Sequence, residues 1–357
     1  MKVIYCFPLI LLLVIGCEKK FDTGQLTGPG NANIAGDTVY VQLNPPWTGY
    51  NKPQDIIVGR EPFIYVADTD NDRVVMLNLN GQILGTRSFK RPVALAEDYK
   101  LNLIVCAEMD TVVNGVAQTF GAVYKLDLVA ASHQLDAAPV IRLLPRPVDF
   151  NTPARRYTGV AAFYDNRFYV ARTGPNNSNP IDPDNSILYF SPKKYFGGGE
   201  GDTLIGRIPK IDPLKQGLVS AYQISSLTSF NRNNIDFIET LTGNTSLKVQ
   251  WLTYVVTPAS SDYQARLTKD DGGALMTPNK FLNPEGSCLD DAGNIYIADA
   301  GKDSVFKFTP FGDELQSFGG PSVFKEPYAV AYFDKVLYVL DTGNNRILRF
   351  QLSTDIR

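Results

Sequence analysis

The chain has 357 residues, 34 basic against 37 acidic side chains and a formal net charge of -3 at pH 7. A mildly acidic chain without basic clusters gives no electrostatic footprint for nucleic acid. His133 is the only histidine, which excludes zinc sites built on several imidazoles.

The chain opens with one cation, Lys2, and an apolar run from Val3 to Ile15. That run is too short to cross a bilayer as a mature helix and reads as a secretory h-region. Gly16-Cys17 after Val14-Ile15 resembles the bacterial lipobox, in which cleavage precedes the cysteine and its sulfur is lipidated. The resemblance implies a lipoprotein signal peptide over residues 1–16 and lipidation, palmitate included, at Cys17. The plainer reading is an ordinary signal peptide with an incidental cysteine. Residues 17–36 are polar and Gly-rich, a flexible tether. Glu18 is not the Asp that favours inner-membrane retention in some bacteria, so a lipid anchor in the outer membrane of the cell envelope is expected.

Residues 37–357 read as strands. Asp37 to Leu43 alternates as a first strand that ends at the turn Pro45-Pro46-Trp47. Then comes the unit that organises the rest. Ile64 to Leu77, Ile295 to Phe308 and Leu337 to Phe350 are near copies, each an alternating run, an acid, a turn and a second alternating run, which is the pattern of a β-hairpin. Asn and Gly in the turns supply the left-handed backbone that a tight hairpin needs. A proline and a short apolar segment precede each copy: Pro53-Gln-Asp-Ile, Pro284-Glu-Gly-Ser and Pro327-Tyr-Ala-Val. A further strand follows two of them, Gln82 to Phe89 and Glu314 to Phe318. Four strands per unit, repeated at about 40 to 50 residues, point to a β-propeller.

These motifs resemble the NHL repeat. The resemblance is sharp around residues 53–89, 281–319 and 325–353 and degenerate between them. Alignment by position places blade two at Pro92–Glu97, Leu103–Glu108, Ala122–Leu128 and Val140–Leu144, and blade three at Thr158–Tyr164, Phe168–Arg172, Ile187–Phe190 and Thr203–Ile208. A further set, Gln223–Phe230, Phe237–Leu241, Leu247–Val256 and Tyr263–Thr268, makes six blades, with seven as the alternative. The chain ends on the third strand of its last blade, so the lone first strand is expected to supply the fourth and close the ring. The length exceeds the usual single-domain size, yet a ring of blades offers no place to split, and a monomeric propeller is expected.

The position after the second strand then holds Asp68, Glu108, Arg172, Asp299 and Asp341. Recurrent acids at one place favour a structural role in a turn or between blades. Arg172 and Glu108 break the pattern, and an arginine there suits a neighbouring carboxylate or an anionic ligand. Cys106 aligns with Val66 and Val339 as a buried small residue, and Cys288 on a first strand also packs. Two connections are enlarged, Met109 to Gly121 and Thr173 to Asn185, and long loops on a rigid scaffold are where binding usually lives. Aromatics and arginines near the turns, Trp47, Tyr50, Arg155, Arg156, Tyr157, Arg172 and Tyr328, are the candidate binding residues. No catalytic constellation and no cofactor is read from the sequence. Calcium is the cation to consider, with Glu285, Asp55, Asp182 and Asp184 as oxygen donors. The expected function is a lipid-anchored scaffold for a protein or small-molecule partner. A divalent-cation-dependent hydrolase or lyase of the lactonase kind is the alternative.

Overall fold

The computed structural model describes residues 39–196, 199–214, 217–230, 233–243, 246–267 and 274–356. Cys17, the expected signal peptide and the expected tether lie outside the described residues.

Strand β1 (Tyr40–Trp47) comes first and joins the last blade. Blade 1 is β2 (Asp55–Val58), β3 (Ile64–Asp68), β4 (Arg73–Leu77) and β5 (Ile83–Ser88). Blade 2 is β6 (Lys90–Glu97), β7 (Asn102–Val113), β8 (Val116–Asp127) and β9 (Val140–Leu144). Blade 3 is β10 (Arg156–Ala162), β11 (Phe168–Thr173), β12 (Ser186–Pro192) and β13 (Asp202–Arg207). Blade 4 is β14 (Ile224–Ser229), β15 (Phe237–Leu241), β16 (Val249–Val256) and β17 (Ser261–Ala265). Blade 5 is β18 (Pro284–Leu289), β19 (Ile295–Asp299), β20 (Ser304–Phe308) and β21 (Glu314–Gly319). Blade 6 is β22 (Pro327–Phe333), β23 (Val336–Asp341), β24 (Arg346–Leu352) and, outermost, β1. The chain is a six-bladed β-propeller.

Its hydrophobic core is divided among the blade interfaces. Between blades 1 and 2 lie Tyr65, Ala67, Leu103 and Val105; between blades 5 and 6 lie Tyr296, Ala298, Val330 and Val339. Alternation along each second strand sends successive side chains to opposite neighbours, so the strand is buried on both faces and reads as a continuous apolar run. The seam between blades 6 and 1, where Leu340 and Ile347 meet Ile56 and Val66, forms only when the ring closes. Closure is by β1, which pairs antiparallel with β24 from Tyr40↔Leu352 to Trp47↔Ile347.

The three sharp repeats stitch the blades together through polar atoms in their hairpin turns. Asp68 accepts the amide of Asn51 at 2.7 Å, Asp299 those of Leu282 and Asn283 at 2.8 and 2.7 Å, and Asp341 that of Lys325 at 2.7 Å. Each acid thus fixes the segment entering its own blade. Four residues on, a left-handed residue reaches the next blade: Asp72 accepts the amide of Arg91, Asp303 that of Glu326 and Asn345 that of Lys52. Thr69 and Thr342 donate hydroxyls to the carbonyls of Pro92 and Pro53, again on the next blade.

Several expectations need correction. The left-handed turn positions are Asp72, Asp303 and Asn345, not the turn glycines, because a short Asx side chain offsets the αL cost through its own hydrogen bond. The first strand does not stop before Pro45-Pro46 but runs to Trp47 with a register irregularity after Leu43; β1 is an edge strand, where a proline forfeits no ladder bond. Met109 to Gly121 is not an irregular loop: β7 and β8 continue as a paired arm to Val113↔Val116 around Asn114 and Gly115. Register also shifts blade two by one place. Ala94 pairs with Cys106 as Ala329 pairs with Leu340, so Ala107, not Glu108, occupies the position of Asp341, and Cys106 matches Leu340, not Val339.

Candidate functional site

Five of the innermost strands carry a register irregularity near their start, and in four it falls on a single residue. The pairings jump from Tyr157 to Gly159, Ile224 to Ser226, Pro284 to Gly286 and Pro327 to Ala329. Such a bulge re-aims the extra side chain out of the ladder. The bulged residues are Thr158, Ser225, Glu285 and Tyr328; with Gln54 and Val93 from blades 1 and 2 they line one cavity of about 790 Å³ at the mouth of the central channel. The strands carrying them crowd together. A Cβ on Gly286 would lie 2.5 Å from the Tyr328 carbonyl oxygen, and one on Gly159 2.9 Å from the Leu227 amide nitrogen, so neither position accepts a larger residue without moving backbone.

Glu285 is the only charged member of this ring. It accepts a 2.6 Å hydrogen bond from Asn283 Nδ2, and burial nevertheless pushes its carboxyl up to about 7. On the adjoining strand, burial and then the Glu285 charge raise the Tyr328 phenol. Below the mouth a second cavity of about 510 Å³ follows the channel. Asp55 faces it, accepting the amides of Ile56 and Leu95 at 2.8 and 2.7 Å, and burial lifts its carboxyl to about 7.

One wall of the mouth comes from the segment after β11. Arg172 donates to the carbonyls of Asp184 and Pro183 at 3.1 and 2.7 Å and to the Asp182 carboxylate at 2.5 Å. Arg155 donates to Asp184 Oδ1 at 2.7 Å and to Asp182 Oδ2 at 2.8 Å. Asp182 loses hydration through burial, yet the arginine hydrogen bonds hold its carboxyl below the usual range. The pinned segment places Thr173, Gly174 and Pro175 on the cavity rim.

The structure separates the candidate residues into two groups. Arg156, Tyr157 and Tyr328 line the mouth together with Glu108, and Arg156 pairs with Glu108 at 3.1 Å. Arg155 and Arg172 are buried supports of the wall. Trp47 is elsewhere, packed against Tyr338 and under Arg349 on the outer strands of blade 6. Tyr50 is buried in the seam between blades 6 and 1. Gln54, Thr158 and Ser225, which also line the mouth, are not among the sequence candidates. Their signal is the place after the proline that opens a blade, as in Pro53-Gln54, Pro284-Glu285 and Pro327-Tyr328; it fades in blades 3 and 4, where Tyr157 and Ile224 replace the proline.

A calcium centre does not fit this donor set. Calcium takes six to eight oxygens, usually with several carboxylates. Here Glu285 is the sole carboxylate of the ring, Asp55 is held by two amides, and Asp182 and Asp184 are held by arginines. Among the described residues no three His, Cys, Asp or Glu side chains converge in a metal-binding group.

No protein-family model matches the chain, and no curated protein sequence matches it. Solved structures do. A luciferin-regenerating enzyme superposes with a TM-score of 0.58 at 13% identity over 88% of this chain and 95% of its own. Regucalcin from Agrobacterium tumefaciens, a calcium-binding protein, gives 0.55 at 12% over 87% and 94%. An auxiliary nutrient-binding protein from Bacteroides thetaiotaomicron gives 0.55 at 9% over 85% and 70%. At these identities the likeness is one of fold, and it places the chain among the six-bladed β-propellers.

Proposed function

We propose that this protein is a lipid-anchored envelope propeller that binds a small polar ligand at the channel mouth. The observation that carries the reading is the ring of bulged side chains. Four blades contribute a bulged residue to it, blades 1 and 2 add Gln54 and Val93 at the matching place, and the residue types differ from blade to blade. Different side chains converging on one concave spot of a repetitive scaffold are what a binding site requires. A nutrient-binding protein of Bacteroides thetaiotaomicron shares the fold, as does a luciferin-regenerating enzyme, so the scaffold is compatible with a binding role. The lipid anchor rests on Gly16-Cys17.

The test is a thermal melt of the full-length chain in detergent against sugars, amino acids and short peptides, each with calcium or with EDTA. One ligand class is expected to raise the melting temperature by several degrees, by mass action on the folded state, and Tyr328→Ala is expected to abolish the shift. A panel without a shift, or a shift indifferent to Tyr328→Ala, would remove the mouth as the site. A shift that needs calcium would favour the cation-dependent hydrolase.

A further inference from the structure

The charges around the mouth are balanced except at one place. Arg156 is paired with Glu108, and Arg91, also on the rim, is paired with Asp70 at 2.6 Å. Lys248 lies near Glu285 but directs its ammonium to the carbonyls of Thr242 and Leu282. Glu285 is therefore left with one amide donor, Asn283, and no ion pair among the described residues. A partly buried carboxylate without a counter-charge is costly to keep ionised. The nearest aromatic of the ring, Tyr328, stands on the adjoining strand with β18 and β22 in close approach. A carboxylate beside an aromatic ring is the arrangement that recognises an organic cation. The rest of the ring, Gln54, Thr158 and Ser225, is neutral. The Thr158 and Ser225 hydroxyls donate to the carbonyls of Ile224 and Pro284, so towards a ligand they act as acceptors for its hydroxyl or amide hydrogens, and the Gln54 amide has both donor and acceptor groups. With one carboxylate in the ring, the site lacks the oxygen donors for a bare metal ion.

We infer that the ligand of this mouth carries a protonated amine, seated between the Glu285 carboxylate and the Tyr328 ring, next to hydroxyl or amide groups that Gln54, Thr158 and Ser225 bind. This deepens the binding reading above and rests on it. The amine supplies the counter-charge that the fold withholds from Glu285. Binding then requires the ionised carboxylate, so affinity for a permanently charged amine falls as pH drops through about 7, where burial has moved the Glu285 carboxyl.

Isothermal titration of the full-length chain with matched pairs tests this: glucosamine against glucose, and putrescine against 1,4-butanediol. In at least one pair the amine is expected to bind tenfold or more tightly than its hydroxyl analogue. That preference is expected to disappear in Glu285→Gln, a variant that keeps the Asn283 contact and the fold, with its melting temperature as the control. Putrescine affinity at pH 7.5 is expected to exceed that at pH 5.5. Equal binding of both members of each pair, or no binding of either amine, overturns the inference. The two readings fail separately: neutral members that bind and are lost in Tyr328→Ala sink the amine but keep the mouth, whereas ligands indifferent to Tyr328→Ala sink both.

Discussion

Blades 1, 5 and 6 and blades 2, 3 and 4 solve the same packing problem with different polar chemistry. In the first set an acid closes each second strand and accepts amides of the incoming chain, while also taking the Nε of Arg73 at 2.7 Å or of Arg346 at 2.6 Å in blades 1 and 6. In the second set the same place holds Ala107, Arg172 and Leu241. Arg172 inverts the chemistry: a donor replaces an acceptor, and it binds the carbonyls of its own 174–185 segment instead of the amides of the incoming chain. The stitched blades flank the seam where β1 closes the ring. Blades 3 and 4, without the acid, are joined to the next blade by hydroxyls instead, Thr158 donating to the Ile224 carbonyl and Ser225 to that of Pro284. The blades without the acid carry the extended arm, the pinned segment and most of the mouth wall. The mouth nevertheless draws on both sets, because Glu285 and Tyr328 stand on blades 5 and 6.

The sharpest way to break this comparison is to remove a stitch at the seam. Asp341 is fully buried and holds the Lys325 amide, Asn344 Nδ2 and Arg346 Nε together. Asp341→Ala strands those donors and is expected to cost about 3–5 kcal/mol, the usual loss on removing one partner of a buried charge pair. The midpoint of guanidinium unfolding measures it. A loss below about 1 kcal/mol would mean that the repeat acids are incidental.

A milder change probes the other set. Arg172→Met keeps the side-chain stem but releases the carbonyls of Pro183 and Asp184 and the Asp182 carboxylate. The expected cost is about 1–3 kcal/mol, with proteolysis within residues 174–185 faster than in the parent. If the cleavage pattern stays unchanged, Arg172 does not hold the wall.

The smallest effect has the opposite sign. Glu239 of β15 faces blade 3 at the strand position of Val66, Val170, Ile297 and Val339, as the pairings with Leu227, Ile56, Val160, Ser287 and Val330 show. It is fully buried, and neither carboxylate oxygen has a hydrogen-bond partner among the described residues. Burial raises its carboxyl well above the ordinary range. The folded state therefore retains a proton that the unfolded chain releases, so the stability tied to this group is complete at acid pH and declines as pH rises. Glu239→Val is expected to stabilise the protein by about 1–2 kcal/mol near neutral pH, and the gain should grow from about pH 5 to about pH 8. A gain independent of pH, or a net loss, would show that Glu239 has a role that the valines lack.

Much of the fold was legible because its signals are local. Period-two alternation, a proline before each blade and an acid after each second strand are all readable within one repeat, and the unmatched first strand announced closure. The degenerate blades were legible to within a residue or so at most strand ends, since apolar runs survive when turn residues do not. Register was not. A one-residue shift in blade two looks the same in sequence, and only the pairing of Ala94 with Cys106 removes Glu108 from the series.

The sequence by itself determined the repeat and the identity of the closing strand, because each depends on short-range patterning, while the choice of six blades over seven fell to the strand pairing. Tertiary structure alone decided which residues meet at the mouth. Thr158, Ser225, Glu285 and Tyr328 come from four blades and are brought together by bulges whose position depends on how neighbouring strands pair. The same convergence decided the fate of the charges. Asp182 and Asp184 look like metal ligands in one dimension, but in three they are held by Arg155 and Arg172, while Glu285 has no ion pair among the described residues, the arginines at the mouth being paired with acids of their own.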